Sequence, residues 1–162
     1  MLHKLKKLLV PVDFSGHSMD ALRSAWELAR EIGAELHMLH VVAPHHSFIP
    51  LPLTHDAEKA REIAREAAMV EQAEEELARI RRDEMAQSPK VTVGAVVGPP
   101  VAKILAYVRE NKIDLIVMST HGRTGAEHAL IGSVTEKIVR VSPCAVLVVR
   151  RAAAAGSSGN RA

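Results

Sequence analysis

The sequence predicts a single α/β domain, a three-layer sandwich whose central parallel sheet has five strands and carries helices on both faces. Three observations predict it. Five short apolar runs alternate with segments whose apolar residues recur every three or four positions, the βαβαβαβαβ pattern of a parallel sheet with crossover helices. The fourth run, Ile113 to Met118, is almost continuously apolar, which suits a strand buried on both faces. The chain has 162 residues, 48% hydrophobic and 25% charged, enough for one ordinary core and no more.

Each element has a local reason. Leu8 to Val12 is a strand-length apolar run that stops at Asp13. Ser15, Gly16 and Ser18 are turn and N-cap residues. After them Ala21, Leu22, Ala25, Leu28, Ala29 and Ile32 keep helical spacing up to Gly33, a C-cap type. Glu35 to Val42 reads as the second strand, and the proline-rich stretch Pro44 to His55 as a loop. From Asp56 to Ala86 the chain is rich in Ala, Glu and Arg, with Ala60, Ile63, Ala67, Val70 and Leu77 in register. The spacing predicts one long amphipathic helix, read here as lying on the sheet with its charged face in water; a partner surface or coiled coil is the alternative. Val91 to Val97 is the third strand. Gly98-Pro99-Pro100 turns into a helix carrying Val101, Ile104, Leu105 and Val108. A helix over Ser133 to Val141 and a fifth strand, Ala145 to Val149, complete the pattern. The domain spans residues 1–150, and the Ala, Gly and Ser-rich end, 151–162, is expected to be a disordered tail.

Composition excludes several classes of function. Lys plus Arg number 21 against 19 Asp plus Glu, a net charge of +2, so no basic field exists to drive nucleic-acid binding. The aromatics Phe14, Trp26, Phe48 and Tyr107 stand singly and cannot build a base-stacking platform. No uncharged apolar stretch approaches the roughly 18 residues of a membrane span. The basic start, Met1 to Lys7, meets Pro11 and Asp13 too soon to be a signal peptide. One cysteine, Cys144, rules out an intramolecular disulfide framework and suits a reducing cytosol; the expected location is cytoplasmic.

Ligands of such sheets sit beyond the carboxyl ends of the strands, where strand order reverses. After strand four the chain runs from Ser119 through Gly122 and Gly125 to Gly132-Ser133. Glycines let backbone amides approach a ligand closely, and a helix opening at Gly132-Ser133 turns free amides and a positive dipole end outward, which favours phosphate. The other reading is a tight loop shaped by glycine, with Ser133 an ordinary N-cap. No Walker A loop or Rossmann glycine fingerprint is present.

With these residues in place the chain resembles the universal stress protein family, in its ATP-binding branch. The family's phosphate motif, G-x-x-G-x(9)-G-[ST], aligns here as Ser119-x-x-Gly122, nine residues, then Gly132-Ser133, with serine in place of the first glycine. Val10 to Ser15, Leu39 to Val42 and Ala145 to Val149 match further family segments, and the likeness covers residues 4 to 150. The resemblance implies the adenine-nucleotide alpha-hydrolase type of fold, with strand order 3-2-1-4-5, which also fits the alternating pattern. It implies that Pro11, Val12 and Asp13 border the adenosine, with Val41 against the adenine. Met118 and Ser119 line the ribose side, and Gly122, Arg123, Gly132, Ser133 and Val134 cradle the phosphates. For Asp13 the alternative is a cap on the helix that follows.

The implied cofactor is ATP or AMP, with Mg²⁺ carried on ATP rather than in a protein cage. The implied role is a nucleotide-dependent regulatory module in the stress response, acting on an unidentified partner; a slow ATPase or nucleotide hydrolase is the alternative. The family further implies a homodimer through Ala145 to Val149, an apolar strand with no proline or charge to protect an exposed edge. The nine histidines show no metal-ligand spacing, and His37 and His40, three apart on one strand, are expected on opposite faces. No catalytic residue is assigned.

Overall fold

The computed structural model describes residues 5–44, 55–85, 90–120 and 131–150. Nine elements follow in order: β1 (Lys7–Pro11), α1 (Gly16–Ile32), β2 (Glu35–Val42), α2 (His55–Glu84), β3 (Val91–Val97), α3 (Pro100–Asn111), β4 (Leu115–Ser119), α4 (Ser133–Val141) and β5 (Ala145–Val149). All strand pairs are parallel and the order is β3-β2-β1-β4-β5, as expected. β1 and β4 are therefore neighbours whose chains leave in different directions, toward β2 and toward β5. Their carboxyl ends form the switch point.

Strand alternation divides the core into two layers. Leu8, Val10, Leu36, Met38, Leu115 and Val117 meet Ala21, Leu22, Ala25 and Ala29 of α1 and Leu77 and Ile80 of α2. Leu9, Leu39, Ile116 and Met118 point the other way, onto Ile104, Leu105 and Val108 of α3 and Ile138 of α4. Every second residue of a strand faces the same side, so near-continuous apolar runs feed both layers at once.

The helix ends explain the boundaries. The Ser15 hydroxyl caps α1 by accepting the Ser18 amide. Gly33, at φ 68°, closes α1 in the left-handed region, with the Ala34 amide reaching back to Ala29. Lys112, at φ 55°, does the same for α3, and the Ile113 amide donates to the Val108 carbonyl over 3.0 Å. Ile113 is thereby spent on terminating α3, with its side chain buried near Val108. That is why β4 starts at Leu115 rather than at Ile113.

α2 is longer than the sheet that carries it. Its 30 residues make it about 45 Å long, whereas the longest strand, with eight residues, spans about 27 Å. Only its second half lies on the sheet: Ala73, Leu77 and Ile80 are buried, while residues 56–65 are all exposed. α2 leaves the carboxyl end of β2 and returns toward the start of β3, so the exposed half overhangs the carboxyl edge of the sheet. The reading of α2 as a helix on the sheet with its charged face in water holds for this second half.

Candidate functional site

The carboxyl ends of β1 and β4 are shaped by short-range bonds. After Pro11 the Val12 amide extends the ladder by donating to Leu39, and Val12 itself is buried. Asp13 then turns the chain. Its carboxylate accepts the Ser15 amide at 2.9 Å, and its own amide donates to the Ser18 hydroxyl at 3.3 Å. That hydroxyl donates onward to the Ser15 carbonyl, so Asp13, Ser15 and Ser18 make one closed network. The capping alternative for Asp13 is thus visible: its carboxylate orders the turn in which Ser15 caps α1. Between them Phe14 adopts φ 63°, a left-handed conformation that costs a non-glycine residue about 1–3 kcal/mol. Packing offsets this: the Phe14 ring lies 4.7 Å from the His40 ring and against the α1/α2 core layer.

At the end of β4 the chain is tied to α4. The Ser119 carbonyl accepts the Thr135 hydroxyl at 2.9 Å, the Thr120 carbonyl accepts the Gly132 amide, and the Thr120 amide donates to Val149. Ser119 is half-buried and Thr120 buried. These bonds hold the first turn of α4 against the end of β4. The N-cap is Gly132, not Ser133, and it makes no side-chain capping bond. Gly132 has no side chain, so the N-cap residue of α4 supplies no capping oxygen of the kind that Ser15 gives α1. A helix end of this kind carries about half a positive charge, which suits an anion.

Pro11, Val12, Asp13, Met118, Ser119, Gly132, Ser133 and Val134 all fall at this carboxyl edge. Met118 and Val134 send their side chains into the α3/α4 core layer, and Val41 packs against the same layer from β2. Met118 is 6% exposed, so its backbone rather than its side chain is what it presents to the edge. Gly122 and Arg123, with Gly125, His121 and Glu127, lie outside the described residues.

A cavity of about 810 Å³ opens beside this edge, on the other face of β2. Phe14, His40 and Val42 line one side and Met69, Gln72, Ala73, Glu76, Arg79 and Arg82 of α2 the other. Among the described residues, none of those expected at the ligand lines it. Alternation explains the separation: Val41 faces the α3/α4 layer while His40 and Val42 face the α1/α2 layer. His40 nevertheless joins the two regions, because its Nδ1 donates to the Val12 carbonyl at 2.7 Å. Sequence reasoning missed His40; the available signal was a polar side chain in the middle of an apolar strand.

The expectation that His37 and His40 face opposite sides holds. His37 is 4% exposed and its Nδ1 lies 3.0 Å from the Tyr107 hydroxyl of α3. Its Nε2 is 3.8 Å from Glu35, too long for a hydrogen bond. Burial, together with the nearby Lys7 charge, lowers the His37 pKa, and Glu35 opposes the shift. Burial alone raises that of Tyr107. This pair lies toward the amino end of β2, away from the switch point. No group of three or more His, Cys, Asp or Glu side chains that could hold a metal occurs among the described residues. Cys144 is half-buried against the α3/α4 layer and beside the Ser142 hydroxyl.

A doubly wound parallel sheet in the order β3-β2-β1-β4-β5, with α4 starting at its switch point, defines the class: an α/β three-layer domain. The chain belongs to the universal stress protein family, whose model matches residues 4–150. Universal stress protein MJ0531 of Methanocaldococcus jannaschii is 34% identical over 146 residues, 90% of this chain and 82% of its own length. Universal stress protein YxiE of Bacillus subtilis is 31% identical, covering 89% and 98%. Among solved structures, that of MJ0577 shares 28% identity with a TM-score of 0.80, covering 94% of this chain and all of the other. Two more distant structures share the fold: a universal stress protein in complex with cAMP (23% identity, TM-score 0.60, coverage 91% and 98%) and one from Arabidopsis thaliana with AMP bound (18%, 0.56, coverage 91% and 93%).

Proposed function

We propose that this chain binds an adenine nucleotide, ATP or AMP, across the carboxyl ends of β1 and β4 and acts as a nucleotide-dependent regulatory module in the stress response. The observation that carries the proposal is the first turn of α4, uncapped at Gly132 yet pinned to the end of β4 through Thr135 and Thr120. Rigidly held amides without a capping side chain are what a phosphate requires. Family membership supports the reading, and two proteins of this fold carry cAMP and AMP.

In this reading Pro11, Val12 and Asp13 border the adenosine and Val41 closes on the adenine from β2. Ser119 and the Met118 backbone line the ribose side. Gly132, Ser133 and Val134 receive the phosphates, together with Gly122 and Arg123. Among the described residues the donor set at the α4 end is amides and a hydroxyl, which fits phosphate oxygens, and no group of carboxylates that could cage a cation occurs there. Mg²⁺ arrives on the ATP phosphates. A regulatory partner reads the nucleotide state, and the molecule works in the cytoplasm.

The same reading makes the protein a homodimer through β5. Among the described residues that strand pairs only with β4, Leu147 on it is 42% exposed, and Val139 and Val141 of α4 are 49% and 55% exposed beside it. An apolar edge of this kind is covered by pairing with a second copy about a two-fold axis.

Isothermal titration with Mg-ATP and with AMP tests the nucleotide proposal. Gly132→Asp places a carboxylate at the phosphate position and should weaken ATP binding at least tenfold, about 1.4 kcal/mol. Ser133→Ala should lose about 1 kcal/mol, a single hydrogen bond to a charged group. Equal affinity of Gly132→Asp and wild type would remove α4 from the site.

A further inference from the structure

His37 and Tyr107 take no part in the nucleotide reading. They lie on the α3/α4 side of β2, toward the amino ends of the strands. Among the described residues the Tyr107 hydroxyl has one hydrogen-bond partner, His37 Nδ1 at 3.0 Å, and His37 Nε2 is buried with none. Two arrangements of hydrogens are open to the neutral pair. If Nδ1 carries the ring proton, the phenol hydrogen and the Nε2 lone pair both go unmatched. If Nε2 carries it, the phenol donates to Nδ1, and the Nε2 proton faces the Glu35 carboxylate 3.8 Å away. The second arrangement leaves fewer groups unmatched, so Tyr107 is the donor.

A proton from water that enters on Nδ1 removes the lone pair holding Tyr107. The imidazolium then needs a carboxylate, and Glu35 is half-buried beside it. One Glu35 oxygen accepts from Lys90 at 3.2 Å; the other must close by about 1 Å to bond Nε2. Lys7 of β1 and Lys90 ahead of β3 oppose a positive ring, and the Asp114 carboxylate is taken up by the Lys6 and Lys7 amides. A charged ring at this position therefore requires water, and the half-buried Tyr107 stands edge-on over it at 5.8 Å and 73°. The phenol has room to leave. Thr92 and Gly94 of β3 sit beside His37 and Leu39 on the same face, and among the described residues nothing lies within 4 Å of where a Gly94 Cβ would stand.

We propose that Tyr107 is an acid-released gate over His37: the phenol bonds the neutral ring and keeps water out, and one proton turns Tyr107 outward and pairs the wetted ring with Glu35. The gate stands at the opposite end of the sheet from the nucleotide reading and does not depend on it. The closed ring resists the proton, chiefly through burial, whereas the wetted ring titrates near the ordinary histidine value of about 6.5. Below that value each pH unit raises the ratio of open to closed by up to about tenfold, until the folded pKa is reached.

Tyr107 and Trp26 are the single tyrosine and the single tryptophan of the chain, and they pack in different core layers. Each therefore reports on its own layer. NMR of the full chain with ¹³C-labelled tyrosine, titrated from about pH 8 to about pH 5 beside a water-soluble paramagnetic agent, tests the gate. The Tyr107 ring signal should shift and broaden as the pH falls below about 6.5, while Trp26 fluorescence stays constant. His37→Gln should abolish the response. Glu35→Gln, at a half-buried side chain that keeps the fold intact, should move the response to lower pH, because the open ring loses its partner. A Tyr107 signal indifferent to pH, one that titrates unchanged in His37→Gln or in Glu35→Gln, or one that moves only together with Trp26, as in global unfolding, overturns the proposal.

Discussion

His40 Nδ1 lies 2.7 Å from the Val12 carbonyl oxygen. A carbonyl only accepts, so Nδ1 carries a proton and donates it. The bond ties the second strand to the residue that precedes Asp13, and the same ring supports Phe14 in its left-handed conformation. One buried histidine thus braces the turn on which half of the candidate nucleotide site is built.

His40→Ala should therefore do two things. It leaves the buried Val12 carbonyl without this donor and Phe14 without its ring partner, for a loss of about 2–3 kcal/mol. Urea denaturation should show this as a lower midpoint with an unchanged slope. Nucleotide affinity should fall as well, because Val12 and Asp13 lose their anchor. An unchanged urea midpoint would mean that the turn holds itself.

Acid should destabilise the fold through His37. Its pKa in the folded chain is lowered, chiefly by burial, so in the native state the ring stays neutral while the unfolded chain takes up a proton. The unfolded state then binds more protons, and stability falls as pH drops below the unfolded value of about 6.5 and continues to fall down to the folded pKa. Glu35, whose pKa is also lowered, first by its hydrogen bond to Lys90, adds a smaller loss of the same sign nearer pH 4. Thermal melts at pH 7.5, 6 and 5 should show a steeper decline for wild type than for His37→Gln. Parallel declines would place the acid sensitivity elsewhere.

Charge on the fifth strand should break the dimer. Val146 and Val148 are partly buried in the single sheet, and Lys at either would project beside a strand-to-strand seam. Light scattering should report a dimer for wild type at micromolar concentration and monomer or insoluble protein for Val146→Lys or Val148→Lys. A monomeric wild type would count against the β5 interface.

Turnover of ATP should be slow or absent. The α4 amides and Ser133 hold the ground state and transition state about equally, which does not accelerate the chemistry. The Asp13 carboxylate accepts the Ser15 amide, and in the proposed site it lies at the adenosine end, remote from a γ-phosphate. Phosphate release followed over hours should stay far below about one per second, the low end of ordinary enzymes. His121 and Glu127, in the sequence between Ser119 and Gly132, are the side chains that could orient water or act as a base; a rate above that, abolished by His121→Ala or Glu127→Ala, would establish the hydrolase alternative.

What the sequence by itself determined is the order of elements and the face each residue takes. The strands β2, β3 and β5 begin and end where apolar alternation and turn residues place them, because those signals are local. Ser15, Gly33 and Pro100 mark helix ends for the same reason. The Gly132-Ser133 helix start was legible in the spacing of the motif, although only the backbone shows Gly132 as the cap. Tertiary structure alone decided what depends on distance between elements. Whether α2 rests on the sheet is a matter of strand length against helix length, and a 3.6-residue pattern carries no information about where the sheet stops. The His40 bond to Val12 spans 28 positions, and the Thr135 bond to Ser119 spans 16. No local preference encodes such pairs. They exist because parallel pairing sets β2 beside β1, and because the return of the chain sets α4 against the end of β4.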